Sequence, residues 1–214
     1  MIKLLRNGIL TLVTLLLAGT GCLDSGSSKD NFDYGDNDKN VVVAFGDSIT
    51  EGRCAGDGEP WPSRLARLSG KRVVNSGVCG EKTEDSVNRI RGVLNRHKPG
   101  VVLILLGAND ALFGRNPNGV IGNLERIVDT CLENNSRPLI ATCLPLYPPR
   151  AFADPLAADY SERIRALARE KGIRLVDLRR EFGDERSFLQ SDGLHPSSSG
   201  NQLIALSFND RLPK

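Results

Sequence analysis

The chain has few of the residues that build metal centres and nucleic-acid surfaces. Its 214 residues include two histidines, one tryptophan and one methionine, and aromatic residues make up only 5%. Lysine and arginine total 28 against 26 acidic residues. The scarcity of histidine argues against a histidine-rich zinc or two-metal centre, and the near-neutral balance gives no electrostatic reason to expect a nucleic-acid partner. With 40% hydrophobic and 25% charged residues, the composition is that of an ordinary globular protein.

The sequence also lacks an apolar run long enough to span a bilayer. Lys3 and Arg6 precede a charge-free stretch whose apolar centre, residues 9–18, is shorter than the ~20 residues of a transmembrane helix. This pattern predicts an export signal over residues 1–21, with a retained N-terminal anchor as the less favoured alternative. Removal of the two basic residues leaves 26 bases against 26 acids, so the mature body is predicted to be neutral.

Cys22 marks the end of the predicted signal. It follows three small residues, 19–21, and precedes a polar tract, so it resembles the lipid-modified cysteine of bacterial lipoproteins, although that family usually has an aliphatic residue where this chain has Gly19. The resemblance implies a membrane anchor through acyl chains on Cys22, and the alternative is cleavage followed by secretion. Residues 22–40 are polar and turn-rich, which predicts a flexible tether. Both alternatives export the body to the cell envelope or beyond.

From residue 41 to 214, short apolar runs alternate with stretches of helical periodicity. The alternation predicts one α/β domain, a three-layer α/β/α sandwich with a five-stranded parallel sheet of flavodoxin-like topology, expected to be a monomer. Ligand sites in such folds lie beyond the carboxyl ends of the strands. The five predicted strands cover residues 41–45, 72–74, 101–106, 138–143 and 173–176.

Four segments with reactive side chains follow predicted strands or precede the last predicted helix, after Pro196. The first and third strands run into Gly46-Asp47-Ser48 and Gly107-Ala108-Asn109-Asp110. The second strand is followed by Asn75-Ser76-Gly77-Val78-Cys79-Gly80, and the last segment is Asp192-Gly193-Leu194-His195. We therefore expect the four segments to meet at one edge of the sheet.

These segments resemble the four blocks of the SGNH, or GDSL, family of hydrolases, which is named for a serine, a glycine, an asparagine and a histidine. All four occur here in the family's order, and the resemblance covers essentially the whole domain from Val41 onward. The Gly-Asp-Ser triplet alone is a weak signal, whereas the fourfold set is specific. The resemblance implies an esterase or lipase that hydrolyses acyl esters without a cofactor or a metal.

Ser48 is the predicted nucleophile. A serine hydroxyl needs an adjacent base to attack an ester at neutral pH. His97 lies near the C-terminal end of a predicted helix at the other edge of the sheet, where it interacts favourably with the helix dipole. His195 is therefore the predicted base. Asp192, three residues earlier, can reach the second imidazole nitrogen and fix its tautomer. A helix cap at Ser48 and a turn residue at Asp192 are the alternatives, but the joint occurrence favours a catalytic triad.

The family pattern further implies three donors for an oxyanion, namely the backbone amides of Ser48 and Gly80 and the side-chain amide of Asn109. Gly77 is the other candidate for the backbone amide that Gly80 would supply. As alternatives to these roles, Gly80 could be an ordinary turn glycine and Asn109 could form an Asx turn. The neighbouring carboxylates, Asp47 and Asp110, are predicted to hold their loops by accepting backbone hydrogen bonds and are not assigned to catalysis.

Four cysteines follow Cys22. Cys54 and Cys79 lie in loops after neighbouring strands, so a disulfide between them is a hypothesis that fits an exported protein. Cys131 and Cys143 lie in apolar segments and are predicted to be buried, inert thiols.

Two other classes of function are alternatives to the esterase. A metal-dependent phosphoesterase would use Asp47, Asn109, Asp110, Asp192 and His195 as ligands, but two histidines are too few for the usual two-metal set. A tethered module that binds acylated glycans without turnover is the non-enzymatic alternative, against which the intact four blocks argue.

The substrate is predicted only as an acyl ester of a small molecule, a glycan or a lipid, as for a lysophospholipase, an arylesterase or a carbohydrate acetylesterase. Short connections predict a shallow, open site. Apolar residues that follow two of the active loops are candidates for contact with an acyl chain: Leu112, Phe113, Leu146, Tyr147 and Pro148.

Overall fold

The computed structural model describes residues 31–52 and 59–214. Five strands form one parallel sheet in the order β2-β1-β3-β4-β5, which confirms the predicted α/β architecture. The strands are β1 Asp38–Gly46, β2 Arg72–Gly77, β3 Pro99–Leu105, β4 Arg137–Ala141 and β5 Arg174–Val176.

Helices cover both faces of the sheet. Helices α2 and α8 pack together on one face, while α3, α5 and α6 pack in sequence on the other. This division follows from right-handed crossovers, because the chain moves one way from β1 to β2 and the other way from β3 to β5. The described helices are α1 Ser48–Glu51, α2 Trp61–Ser69, α3 Thr83–His97, α4 Ala108–Leu112, α5 Pro117–Glu133, α6 Asp154–Glu170, α7 Leu178–Phe182 and α8 Ser198–Asn209, with short 3₁₀ turns at Ala151–Ala153 and Arg186–Phe188.

The central strand shows why the sequence adopts this fold. Every residue of β3 is buried, since helices cover both faces of the sheet. Val101–Leu105 supply continuous β-branched and aliphatic side chains, which suit a strand with no solvent face. The strand positions its carboxyl end, and therefore the residues that follow it, in the middle of the sheet's edge.

The ordered body begins earlier than the sequence predicted. Residues up to 40 were expected to form a tether, but β1 starts at Asp38 and the Tyr34 ring is only 5% exposed. Phe32 packs edge-to-face on Tyr34 with ring centroids 4.9 Å apart, and the Lys39 ammonium lies over the Tyr34 ring. The average composition of the segment is polar and therefore predicted a tether, but the packing of Phe32 and Tyr34 gives it a defined structure. The predicted signal, Cys22 and residues 22–30 lie outside the described residues.

Strand ends also differ from the predicted runs. β2 extends to Gly77 because its backbone continues to pair with β1 beyond the apolar residues, up to Gly46 opposite Gly77. β4 stops at Ala141, before the end of its apolar run at Cys143. Apolar runs indicate burial, whereas strand ends depend on where the backbone pairing stops. Within the described ranges, no helix combines the length and apolarity needed to cross a bilayer.

Candidate active site

Ser48 lies where β1 passes into α1. Asp47 caps this short helix, since its Oδ1 accepts from the amide of Ile49 at 2.9 Å. Ser48 is therefore the first helical residue, and its side chain is only 4% exposed. The strand-to-helix turn fixes the hydroxyl at the carboxyl end of the sheet, where the fold was expected to place reactive groups.

His195 and Asp192 lie in the loop before α8 and complete a chain of contacts with Ser48. The His195 Nε2 atom is 3.0 Å from Ser48 Oγ, and His195 Nδ1 is 2.6 Å from Asp192 Oδ2. The other carboxylate oxygen, Oδ1, accepts from the amides of Leu194 and His195, both at 3.0 Å. The structure therefore brings together the three residues predicted as a triad.

The Asp192 carboxylate is held in its charged form. Burial alone raises the pKa of Asp192, but hydrogen bonds from the Leu194 amide and from His195 outweigh it, so the pKa lies below its ordinary value. A charged carboxylate at this position can accept from Nδ1–H of the imidazole and leave Nε2 free to accept a proton from Ser48.

Gly193 allows this loop to pack tightly on the segment that follows β4. Its φ is +71°, in the left-handed region, and a Cβ there would lie 2.1 Å from the carbonyl oxygen of Tyr147. The Gly193 carbonyl in turn accepts from the Tyr147 amide at 2.9 Å. Neither the backbone conformation nor the space permits a larger residue.

The three predicted oxyanion donors differ in whether they already have an acceptor. Within the described chain, the backbone amides of Ser48 and Gly80 have no acceptor. The Gly77 amide, by contrast, donates to Asn75 Oδ1 at 3.0 Å, so of the two candidate glycines only Gly80 has a free amide. Asn109 Nδ2 donates to the Glu81 carbonyl, next to Gly80, at 3.0 Å and makes a long contact of 3.4 Å with Asp47 Oδ2.

Comparison with known proteins decides the family. Residues 44–203 match the GDSL-like lipase/acylhydrolase family, which is about three quarters of the chain. The chain belongs to this family. A relative in Escherichia coli (strain K12), thioesterase 1/protease 1/lysophospholipase L1, is 28% identical over 169 residues, 77% of this chain and 79% of the relative. The lipoprotein YqeF of Bacillus subtilis (strain 168) is 24% identical over 184 residues, 71% and 73% of the two chains.

A solved structure gives the same result for the fold. A lipolytic protein of the G-D-S-L family from Desulfitobacterium hafniense DCB-2 superposes with a TM-score of 0.72 at 25% identity, covering 80% of this chain and 99% of that one. The protein is thus a GDSL hydrolase, an enzyme that acts on ester bonds.

Two buried carboxylates support the loops of this GDSL hydrolase, as predicted. Burial, together with the nearby charges of Asp110 and Glu81, raises the pKa of Asp47 from 3.8 to about 7, against the lowering effect of the Ile49 amide. Asp110 accepts from the Thr83 amide at 3.1 Å and from the Thr83 hydroxyl at 2.7 Å, and burial raises its pKa as well. Asp47 thus lies between α1 and Asn109 of α4, and Asp110 connects α4 to the start of α3.

Sequence reasoning missed two arginines of the hydrolase. Arg89 on α3 pairs with Glu81, donates to Ser76 Oγ at 2.8 Å and lies 4.1 Å over the Phe45 ring, so it fastens the Gly80 turn to β1 and β2. Arg150 donates to the backbone carbonyl of Asp192 at 2.5 Å. Neither arginine lies in a motif, and only the folded chain brings them to the site.

The remaining predicted residues have mixed outcomes. Cys79 is disulfide-bonded, but Cys54 lies outside the described residues, so their pairing stays a prediction. Cys131 and Cys143 are free and buried, as predicted, and burial raises the pKa of both thiols, to about 12 for Cys143. His97 ends α3, just before β3, and takes no part in the site.

The predicted acyl contacts fall into two groups. Phe113, at the end of α4, is 69% exposed, whereas Leu146 is only 3% exposed and belongs to the core. Leu112 and Tyr147 are half-buried against that core, and Pro148 is exposed. Contact with a substrate is therefore open to Phe113 but not to Leu146, because a core side chain has no surface to offer.

Metal ligation was the alternative chemistry for these residues. Across residues 31–52 and 59–214, no three histidine, cysteine, aspartate or glutamate side chains are grouped so that they could hold a metal ion.

A surface hollow lined by Leu68, Lys71 and Leu212 includes none of the three predicted triad residues.

Proposed function

We propose that this GDSL hydrolase cleaves acyl esters through a triad of Ser48, His195 and Asp192. The observation that carries the proposal is the unbroken path of two hydrogen bonds, 3.0 Å and 2.6 Å long, from the Ser48 hydroxyl through the imidazole to the Asp192 carboxylate. These lengths lie within the range for a nucleophile activated by an adjacent base.

The reaction proceeds in two stages. Ser48 Oγ attacks the ester carbonyl while His195 Nε2 accepts its proton, and the imidazolium then donates that proton to the departing alcohol. The resulting acyl-Ser48 ester is hydrolysed by water, from which His195 again takes the proton. Asp192 stabilises the imidazolium in both stages and stays ionised throughout.

Three donors stabilise the negative charge that develops on the carbonyl oxygen, namely the amides of Ser48 and Gly80 and the side chain of Asn109. The two backbone amides have no competing acceptor in the described chain, which supports this role. The contact from Asn109 Nδ2 to Asp47 is long at 3.4 Å, so the hydrogen on that side is weakly held and can be shared with an oxyanion.

The test of the mechanism compares wild type with Ser48→Ala and His195→Gln on p-nitrophenyl esters, with His97→Gln as the matched control. We expect both site variants to lose at least 10³-fold in kcat and the control to stay within twofold. A phosphonofluoridate probe should label wild type at Ser48. Full turnover by either site variant would refute the triad, and loss of activity with EDTA would favour a metal-dependent phosphoesterase.

The substrate is an acyl ester whose chain contacts the exposed ring of Phe113. A series of p-nitrophenyl esters of rising chain length, assayed beside acetylated xylan and a lysophospholipid, measures this preference. Highest kcat/KM on the longer acyl chains supports an apolar contact, whereas binding of acetylated glycans without turnover would make the non-catalytic module the better account.

The protein is exported through residues 1–21 and anchored by lipid on Cys22. This proposal depends on the sequence of the N-terminal segment, and the relative YqeF is named a lipoprotein. Mass spectrometry of the protein from a membrane fraction should find acyl chains on Cys22, and Cys22→Ser should release the activity to the soluble fraction. An unmodified cysteine in membrane-bound protein would refute the anchor.

A further inference from the structure

The loop between β4 and α6 carries an arginine to the back of the proposed triad. Arg150 Nη1 donates to the backbone carbonyl oxygen of Asp192 at 2.5 Å, and the same nitrogen lies 3.5 Å from Asp192 Oδ2. Both side chains are about one-third exposed, so the pair is partly shielded from water. One guanidinium therefore contacts both the backbone and the charge of the same residue.

The backbone of this loop determines where Arg150 lies. The Arg150 amide donates to the Tyr147 carbonyl at 2.7 Å, which closes a turn, and the Tyr147 amide donates to Gly193 at 2.9 Å. The turn thus rests directly on the loop of Asp192 and His195. Because the missing side chain of Gly193 lets the two segments touch, the guanidinium reaches Asp192 from a rigid support.

Arg150 is set apart from the nearby charged residues by its contact with the Asp192 carboxylate. Among the described residues, it is the only lysine or arginine within 4 Å of the Asp192 carboxylate, whose other ionisable partner is His195. The remaining charged groups near these segments face elsewhere. Arg179 pairs with Asp154, Asp184 and Glu185 lie toward Tyr147, Arg186 donates to the Pro148 carbonyl, and Asp47 lies beside Ser48.

We propose that Arg150 is a positioning residue of the triad, which holds the Asp192–His195 loop by its backbone and supplies the positive charge opposite the Asp192 carboxylate. The inference rests on the proposed function, since it assigns a role to Asp192 that only a triad requires. A guanidinium suits the task because its fixed fork can donate to a carbonyl while facing a carboxylate.

The positive charge has a consequence for the pH profile. A cation beside the imidazole–carboxylate pair repels the positive charge that the imidazole gains when it accepts a proton. Removal of the charge should therefore move the acid limb of kcat/KM to higher pH. A residue that only supported the loop would leave the midpoint of that limb in place.

The experiment compares Arg150→Gln and Arg150→Lys with Arg186→Gln, which removes an arginine that donates to a carbonyl of the same loop but does not touch Asp192. The rate of phosphonofluoridate labelling and kcat/KM are measured from pH 5 to 9 on the full chain. For R150Q we expect a midpoint about half a unit to one unit higher, which lowers kcat/KM on the acid limb roughly threefold to tenfold. KM should change less than twofold.

The lysine variant should keep the wild-type midpoint while kcat falls, because it retains the charge but not the fork. R186Q should match wild type in both. An unmoved midpoint in a folded R150Q overturns the proposal, as does a rise in KM at constant kcat, which would make Arg150 a substrate contact. If R150Q does not fold, the kcat of R150K is the deciding measurement, and a wild-type kcat in that variant overturns the proposal. Absence of labelling in wild type would instead refute the triad itself.

Discussion

Replacing Asp47 by asparagine should change how the stability of the protein depends on pH. The Asp47 carboxyl is fully buried beside Ser48, and the burial raises its pKa from 3.8 to about 7. Asparagine has nearly the same shape and its side-chain oxygen can still accept from the Ile49 amide, so Asp47→Asn removes the titration while it preserves the helix cap.

The sign follows from the direction of the shift. The folded state binds the proton of Asp47 more tightly than the unfolded chain does, so the associated stability is complete below pH ~4 and is lost as the pH rises through about 7. A difference of about three pKa units corresponds to about 4 kcal/mol. The free energy of unfolding of D47N relative to wild type should therefore increase by roughly 4 kcal/mol between pH 4 and pH 8.

Urea unfolding, followed by circular dichroism at half-unit pH intervals, measures this difference. Asp36→Asn, which changes an exposed aspartate ahead of β1, is the control and should parallel wild type. Parallel curves for D47N and wild type, within about 1 kcal/mol across the range, would show that the Asp47 carboxyl does not carry the proton affinity that its burial implies.

Three further substitutions test the site and its support. Asn109→Ala should lower kcat by about 10²- to 10³-fold with little change in KM, because it removes an oxyanion donor, and an unchanged kcat in ester assays would contradict that role. Gly193→Ala should destabilise the fold by about 2 kcal/mol or more, since its Cβ meets the Tyr147 carbonyl, and thermal unfolding at the wild-type temperature would argue against the tight contact. Phe113→Ser should raise KM severalfold for long-chain esters but not for acetate esters, and an equal effect on both would exclude an acyl contact.

The residues of the proposed triad and oxyanion site could be predicted because each lies in a short segment next to a strong structural signal. Ser48 and Asn109 directly follow buried apolar strands, and His195 precedes a helix, so the parallel sheet alone brings them to one edge. The choice between Gly80 and Gly77 needed the structure, since only a folded backbone shows that Asn75 occupies one of the two amides.

Arg150 could not be predicted from the sequence. It is one charged residue in a proline-containing loop, and its importance depends on a contact with Asp192, 42 positions away. The same holds for the order of residues 31–40, which follows from two aromatic rings packed on each other, one of them buried, and not from the polar average of the segment. Local pattern identifies elements, whereas single long-range contacts need the coordinates.

Ser48 and His195 stand 147 residues apart in the chain, and only the folded domain brings them together. A fragment that ends before His195, or an intermediate in which the loop before α8 has not docked, has Ser48 with no imidazole beside it and should not cleave esters. Esterase activity therefore reports whether the whole domain has folded. During refolding, ester cleavage should recover at the rate of the slowest docking step, even if the strands form earlier.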